Sequence, residues 1–91
     1  MPVHGNGGGP GFEGTVTVIG LGGMFIRTAK AKPPGTVVSL MLEDPVAAFD
    51  FECTVRNVAG NGMGVEITKI SAENEQRLRL LLIRLKGSDR G

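Results

Sequence analysis

A chain of 91 residues and 9.5 kDa has room for one domain with a single small core, and it excludes a catalytic domain joined to a separate substrate domain. Its residues are 41% hydrophobic and 21% charged, a globular balance, and ten Lys and Arg against nine Asp and Glu leave a formal charge of only +1. Near-neutrality, with four Phe and neither Tyr nor Trp, argues against a nucleic-acid partner, which would need a basic stripe and stacking aromatics. The longest aliphatic run, Leu80 to Ile83, is far below the roughly 20 residues that span a bilayer. No charged start followed by an apolar stretch marks export, so a soluble, cytoplasmic chain without membrane insertion is expected. One cysteine forms no internal disulfide, which leaves stability to packing.

In chain order, residues 1–14 read as a flexible Gly-rich lead, with five glycines between Gly5 and Gly11 and no apolar periodicity. Residues 15–86 carry the domain, and residues 87–91 read as a solvated tail. Thr15 to Val18 alternates and is β-branched, and Met24 to Thr28 resumes after Gly20, Gly22 and Gly23, so two strands meet at a glycine bend. Lys30 to Gly35 is a connection, because Pro33-Pro34 donates nothing to a ladder and Pro34-Gly35 favours a turn. Thr36 to Leu42 follows as a strand with Val38, Leu40 and Leu42 on one face, ended by Glu43-Asp44-Pro45.

Phe49 to Val55 alternates most cleanly, with Phe49, Phe51, Cys53 and Val55 on the core side and Asp50, Glu52, Thr54 and Arg56 toward water. Gly60-Asn61-Gly62 suits a three-residue hairpin loop with a left-handed glycine, which would place Val55 opposite Ile67 and Arg56 opposite Glu66. Met63, Val65 and Ile67 then face the core. Ser71 is an N-cap, Glu73 and Glu75 suit the helix start, and Arg84 and Lys86 suit its end before Gly87. Leu78, Leu81, Leu82 and Leu85 form the buried stripe of that helix, while Leu80 and Ile83 fall on its opposite side at about 100° per residue. Leu80 and Ile83 are either tolerated surface residues, or covered by the N-terminal lead, or the candidate interface for self-association or a protein partner. The pattern predicts a mainly β protein with four or five antiparallel strands and one C-terminal helix.

Residues able to support chemistry are few. His4, the lone histidine, lies in the glycine-rich lead with no second metal ligand near it and is expected in solvent. Ser39, Ser71 and Ser88 have no ordered histidine to act as base, and Cys53 shares the parity of Phe49 and Phe51, which makes it a small buried hydrophobe. Asp50 and Glu52 form a solvated charge ladder with Arg56. Gly20-Leu21-Gly22-Gly23 lacks the third glycine and the following helix of a dinucleotide loop, and close backbone approach explains at least one of these glycines. No cofactor, metal site or enzymatic activity is expected.

Four segments nevertheless stand in a recognisable order: Gly22-Gly23-Met24-Phe25-Ile26-Arg27-Thr28, Pro34-Gly35-Thr36-Val37-Val38-Ser39-Leu40, Phe51-Glu52-Cys53-Thr54-Val55, and Gly62-Met63-Gly64-Val65-Glu66-Ile67. Together with the leucine helix they resemble the PilZ domain family of bacteria, over about Thr15 to Leu85. The resemblance implies a small antiparallel six-stranded split barrel covered on one side by the C-terminal helix. It also implies a link to the second messenger cyclic di-GMP, which family members hold through an opening Arg-x-x-x-Arg and an Asp/Asn-x-Ser-x-x-Gly in the first glycine bend. Arginine forks clamp phosphates and stack on guanines, while the acid or amide and the serine bond guanine edges.

Here the second motif falls on Val18-Ile19-Gly20-Leu21-Gly22-Gly23, where only Gly23 matches. Val18 replaces the acid or amide, Gly20 replaces the serine, and no arginine precedes Arg27. The opening segment and first strand are expected to be reduced to Met1-Pro2-Val3-His4 or lost. The preferred expectation is a module acting by protein contact, as the family's pilus and motility adaptors do. The alternative is direct cyclic di-GMP binding through an atypical site at Gly20, Gly22, Gly23 and Arg27, with Lys30 and Lys32 around the bend.

Overall fold

The computed structural model describes residues 1–43 and 48–88, with side chains through residue 85 except that of Ala48, and forms a closed barrel of six antiparallel strands covered by one helix. The strands are β1 (Pro2–Asn6), β2 (Phe12–Ile19), β3 (Gly23–Arg27), β4 (Val37–Glu43), β5 (Ala48–Ala59) and β6 (Gly62–Lys69), and the helix α1 is Ala72–Ser88. Neighbours run β1-β2-β3-β6-β5-β4, and β4 returns to β1 to close the ring. Among the described residues, closure leaves no unpaired sheet edge.

Alternation sets the core. Val38, Leu40 and Leu42 of β4 face Cys53, Phe51 and Phe49 of β5 in register, and all six side chains are buried. Val55, Met63 and Val65 are buried beside them, whereas Ile67 is only partly covered. Burying each large apolar side chain contributes about 1.5–3 kcal/mol, which makes this the main stabilising element of a small domain. The Pro34-Gly35 turn is present: Gly35 has φ of 92°, and Thr36 donates from its backbone and its hydroxyl to the Pro33 carbonyl.

Residues 1–14 are not a flexible lead. They form β1 and the start of β2, paired from Pro2 opposite Thr15 to Gly5 opposite Phe12. The signal is hidden because β1 turns only Val3 and Gly5 inward, and a side chain on Gly5 would collide with the Phe12 ring, which is buried. The aromatic ring thus occupies the place of a second apolar residue on β1. Nor is the first strand lost, since Val3 opposite Leu42 and Gly5 opposite Leu40 close the barrel.

The β5–β6 hairpin also departs from expectation. Ala59 pairs with Gly62 around a two-residue turn, and Arg56 is an extra residue between Val55 opposite Val65 and Asn57 opposite Gly64. Ile67 therefore pairs with Cys53, and neither Gly60 nor Gly62 has a positive φ. The charge pairing survives, because Arg56 Nε still reaches Glu66 Oε1 at 2.6 Å.

Helix α1 starts where expected: the Ser71 hydroxyl accepts the Asn74 amide at 3.1 Å, a capping contact. Asn74 Nδ2 also donates to the Asp50 carbonyl at 2.8 Å, pinning the first turn to β5. Leu78 and Leu81 are buried and Leu82 is partly covered, but Leu85 is exposed, so the buried stripe stops one turn early. The helix continues through Gly87 to Ser88, so Gly87 does not end it. Asp44 and Pro45, and residues 89–91 of the expected tail, lie outside the described residues.

Candidate functional site

The bend joining β2 to β3 is built by a bulge. Thr15 pairs with Arg27 and Val16 with Ile26, then the register shifts so that Val18 meets Phe25 and Ile19 meets Met24. The extra residue, Thr17, breaks the shared parity of Val16 and Val18. Val16 stays buried while Val18 turns outward and is 66% exposed.

Within the bend, the Gly20 amide donates to the Gly23 carbonyl at 2.9 Å, and the Gly22 carbonyl accepts the Ile67 amide at 2.9 Å. These bonds fix the loop against β6. A Cβ on Gly23 would run into the Val65 carbonyl oxygen, so close strand approach requires glycine there. Gly22 faces open space, and a Cβ on Gly20 would make only an ordinary contact with the Gly23 carbonyl oxygen at 3.8 Å. Leu21 at the tip is 47% exposed, and Glu66 lies opposite Gly23 with its carboxylate on Arg56. The surface around the bend therefore offers exposed Val18 and Leu21 and an arginine already paired with an acid.

Arg27 does not join this group. It ends β3 four residues beyond Gly23, a step of about 13 Å along an extended strand. Lys32 is farther along the same end, where its ammonium donates to the Pro10 carbonyl at 3.1 Å and lies 5.7 Å from the Phe12 ring centre. The proposed set of Arg27, Lys30 and Lys32 thus sits at the opposite end of β3 from the bend, because an extended strand separates them. Sequence reasoning noted Arg56 only as half of a charge ladder. Its place two strands from Gly23, with Glu66 between them, follows from β6 lying between β3 and β5.

A profile of the PilZ domain matches residues 1–84. The chain belongs to the PilZ domain family. Comparison with curated proteins gives no match. PilZ domains are regulatory binding modules linked to cyclic di-GMP, rather than enzymes, and the closed barrel with its C-terminal helix is the fold this membership implies. The match includes the first 14 residues, in keeping with β1 and β2 being integral to the PilZ barrel.

Other chemistry-bearing residues make contacts that tie strands together or lie exposed. His4 is on β1 and not free in solvent: its Nε2 lies 2.9 Å from Glu43 Oε1 and its Nδ1 3.4 Å from Glu13 Oε1, linking β1 to both neighbours. Among the described residues no three His, Cys, Asp or Glu side chains are placed to hold a metal. No helix among them is long and apolar enough to cross a membrane. Leu80 and Ile83 stand out of α1 at 59% and 68% exposure.

Burial, and secondarily the Glu52 charge, pushes the Cys53 thiol up to about 12. Since the thiolate is the nucleophile, labelling at pH 8 should be at least ~1000-fold slower in the native protein than in denaturant. Comparable rates would contradict the packing. The unfolded thiol loses its proton near its ordinary value of 9.0 and the folded one near about 12, so this group should make stability fall as pH rises between them. Denaturant melts of Cys53→Val across that window should lose this part of the slope.

Proposed function

We propose that this PilZ module regulates by protein contact, in cytoplasmic pilus or motility control, rather than by reading cyclic di-GMP itself. One observation carries the reading. At the bend positions where the family places a guanine-binding acid or amide and a serine, this chain presents solvent-exposed Val18 and Gly20, which has no side chain. Neither supplies a hydrogen bond to a guanine edge.

The charges beside the bend support the same reading. Arg56 is engaged by Glu66, whose carboxylate opposes a phosphate, and Arg27 is at the far end of β3. Exposed aliphatic side chains on a rigid hairpin suit a protein surface better than a dianionic nucleotide.

Thermal unfolding tests this directly, because a ligand that binds only the folded state raises the midpoint by mass action. Cyclic di-GMP at about 100 µM should leave the midpoint unchanged; at a hundredfold excess over its dissociation constant, a real ligand adds about 2.7 kcal/mol, a shift of many degrees in so small a domain. Such a shift would overturn the reading.

A further inference from the structure

We infer that the outer face of α1 is a self-complementary surface on which a second copy of this chain docks with its helix antiparallel. The inference rests on the protein-contact reading and names one partner for it. Around the helix, Ala72, Gln76, Leu80 and Ile83 form a stripe opposite buried Leu78 and Leu81. Leu80 and Ile83 are the most exposed aliphatic side chains of the helix.

The same stripe carries a receptor for these side chains. Ala72, Glu75, Gln76, Arg79 and Leu80 line a shallow, open depression. The first four are spaced i, i+3, i+4 and i+7, the four-cornered hole that accepts one side chain from a facing helix. Knob and hole thus lie at opposite ends of one stripe. When Ile83 of each copy enters the hole of the other, the helices must run antiparallel, with the two-fold axis near Arg79 and Leu80. Each contact is then made twice.

Charge selects the same arrangement. Glu73 and Glu75 occupy the first turn, and Arg77, Arg79 and Arg84 follow, so each flank of the stripe runs from acidic to basic. Antiparallel docking brings Glu73, which also holds Arg77 of its own helix at 2.8 Å, to the same flank as Arg84 of the second copy and within about 3 Å of its level along the axis. Parallel docking would set acid against acid and arginine against arginine. A single helix pair is at the small end of specific interfaces, so the dimer should be weak and reversible, with a dissociation constant of about 10–100 µM.

Sedimentation equilibrium of the full chain tests this. The unmodified protein should dimerise across that range, and Ile83→Glu should weaken dimerisation more than about tenfold while circular dichroism shows an unchanged fold. Two charge-reversed variants, Glu73→Arg with Glu75→Arg and Arg79→Glu with Arg84→Glu, should each be monomeric alone yet associate when mixed. A monomeric unmodified chain at about 1 mM, an Ile83→Glu variant that dimerises normally, or a mixture that does not associate would overturn the inference. A monomer that ignores cyclic di-GMP ends the dimer and leaves the protein-contact reading standing. Saturable cyclic di-GMP binding ends that reading whatever the oligomeric state.

Discussion

Replacing Phe51 with alanine should remove about 3–5 kcal/mol of folding stability. Its ring is 4% exposed, lies 5.9 Å from the Phe49 ring at 36°, and belongs to a residue paired with Leu40, which is fully buried. Truncation loses the transfer energy of the ring and leaves a cavity that a closed barrel cannot collapse, because hydrogen-bonded strands fix its wall on both sides. A domain of 91 residues has only about 5–14 kcal/mol in total. Urea denaturation should therefore show a large fall in midpoint, or an unfolded chain at 37 °C. A loss below about 1 kcal/mol would place Phe51 outside the core.

The second large effect is expected at Gly62, where valine should cost at least ~2 kcal/mol without emptying any cavity. Gly62 opens β6, faces Arg27 of β3 across the ladder and pairs with Ala59 at the base of the hairpin turn. A Cβ there would collide with the Ile26 carbonyl oxygen, so β3 and β6 would have to part at the start of their shared ladder. The Thr28 amide, which donates to the Asn61 carbonyl at 3.1 Å, would be displaced as well. Denaturation of Gly62→Val should show the loss, and the adjacent Gly60→Ala should be far milder, since nothing lies within 4 Å of a Cβ at Gly60. Equal effects at the two positions would contradict the close approach.

Where the strands use plain alternation, the sequence predicts the fold well. The inward faces of β4 and β5 follow from every second residue, and Ser71 marks the helix start through a capping bond. Alternation fails where backbone irregularity resets the count. The extra Thr17 turns Val18 outward, and the extra Arg56 moves Val55 from Ile67 to Val65, yet neither residue carries a distinctive side-chain signal. Strand β1 was invisible because Gly5 contributes space for a ring that lies seven residues away in sequence.

The candidate site divides the same way. The replacement of guanine-reading groups by Val18 and Gly20 is legible from residue identity alone, whereas the outward aim of Val18 depends on the bulge. Arg27 stands apart from the bend because the extended run from Gly23 to Arg27 carries the chain about 13 Å. The position of Arg56 needed the strand order, since β6 lies between Gly23 and β5.

Calorimetric titration of the purified chain with cyclic di-GMP tests the central claim most directly. Two phosphates and two guanines need several charge-assisted contacts of about 1.5–3 kcal/mol each. The bend offers Val18 and Gly20, and Arg56, two strands away, is held by Glu66 at 2.6 Å. The predicted result is no saturable heat up to about 1 mM nucleotide. Saturable binding at low micromolar or tighter affinity, with a defined stoichiometry, would contradict it.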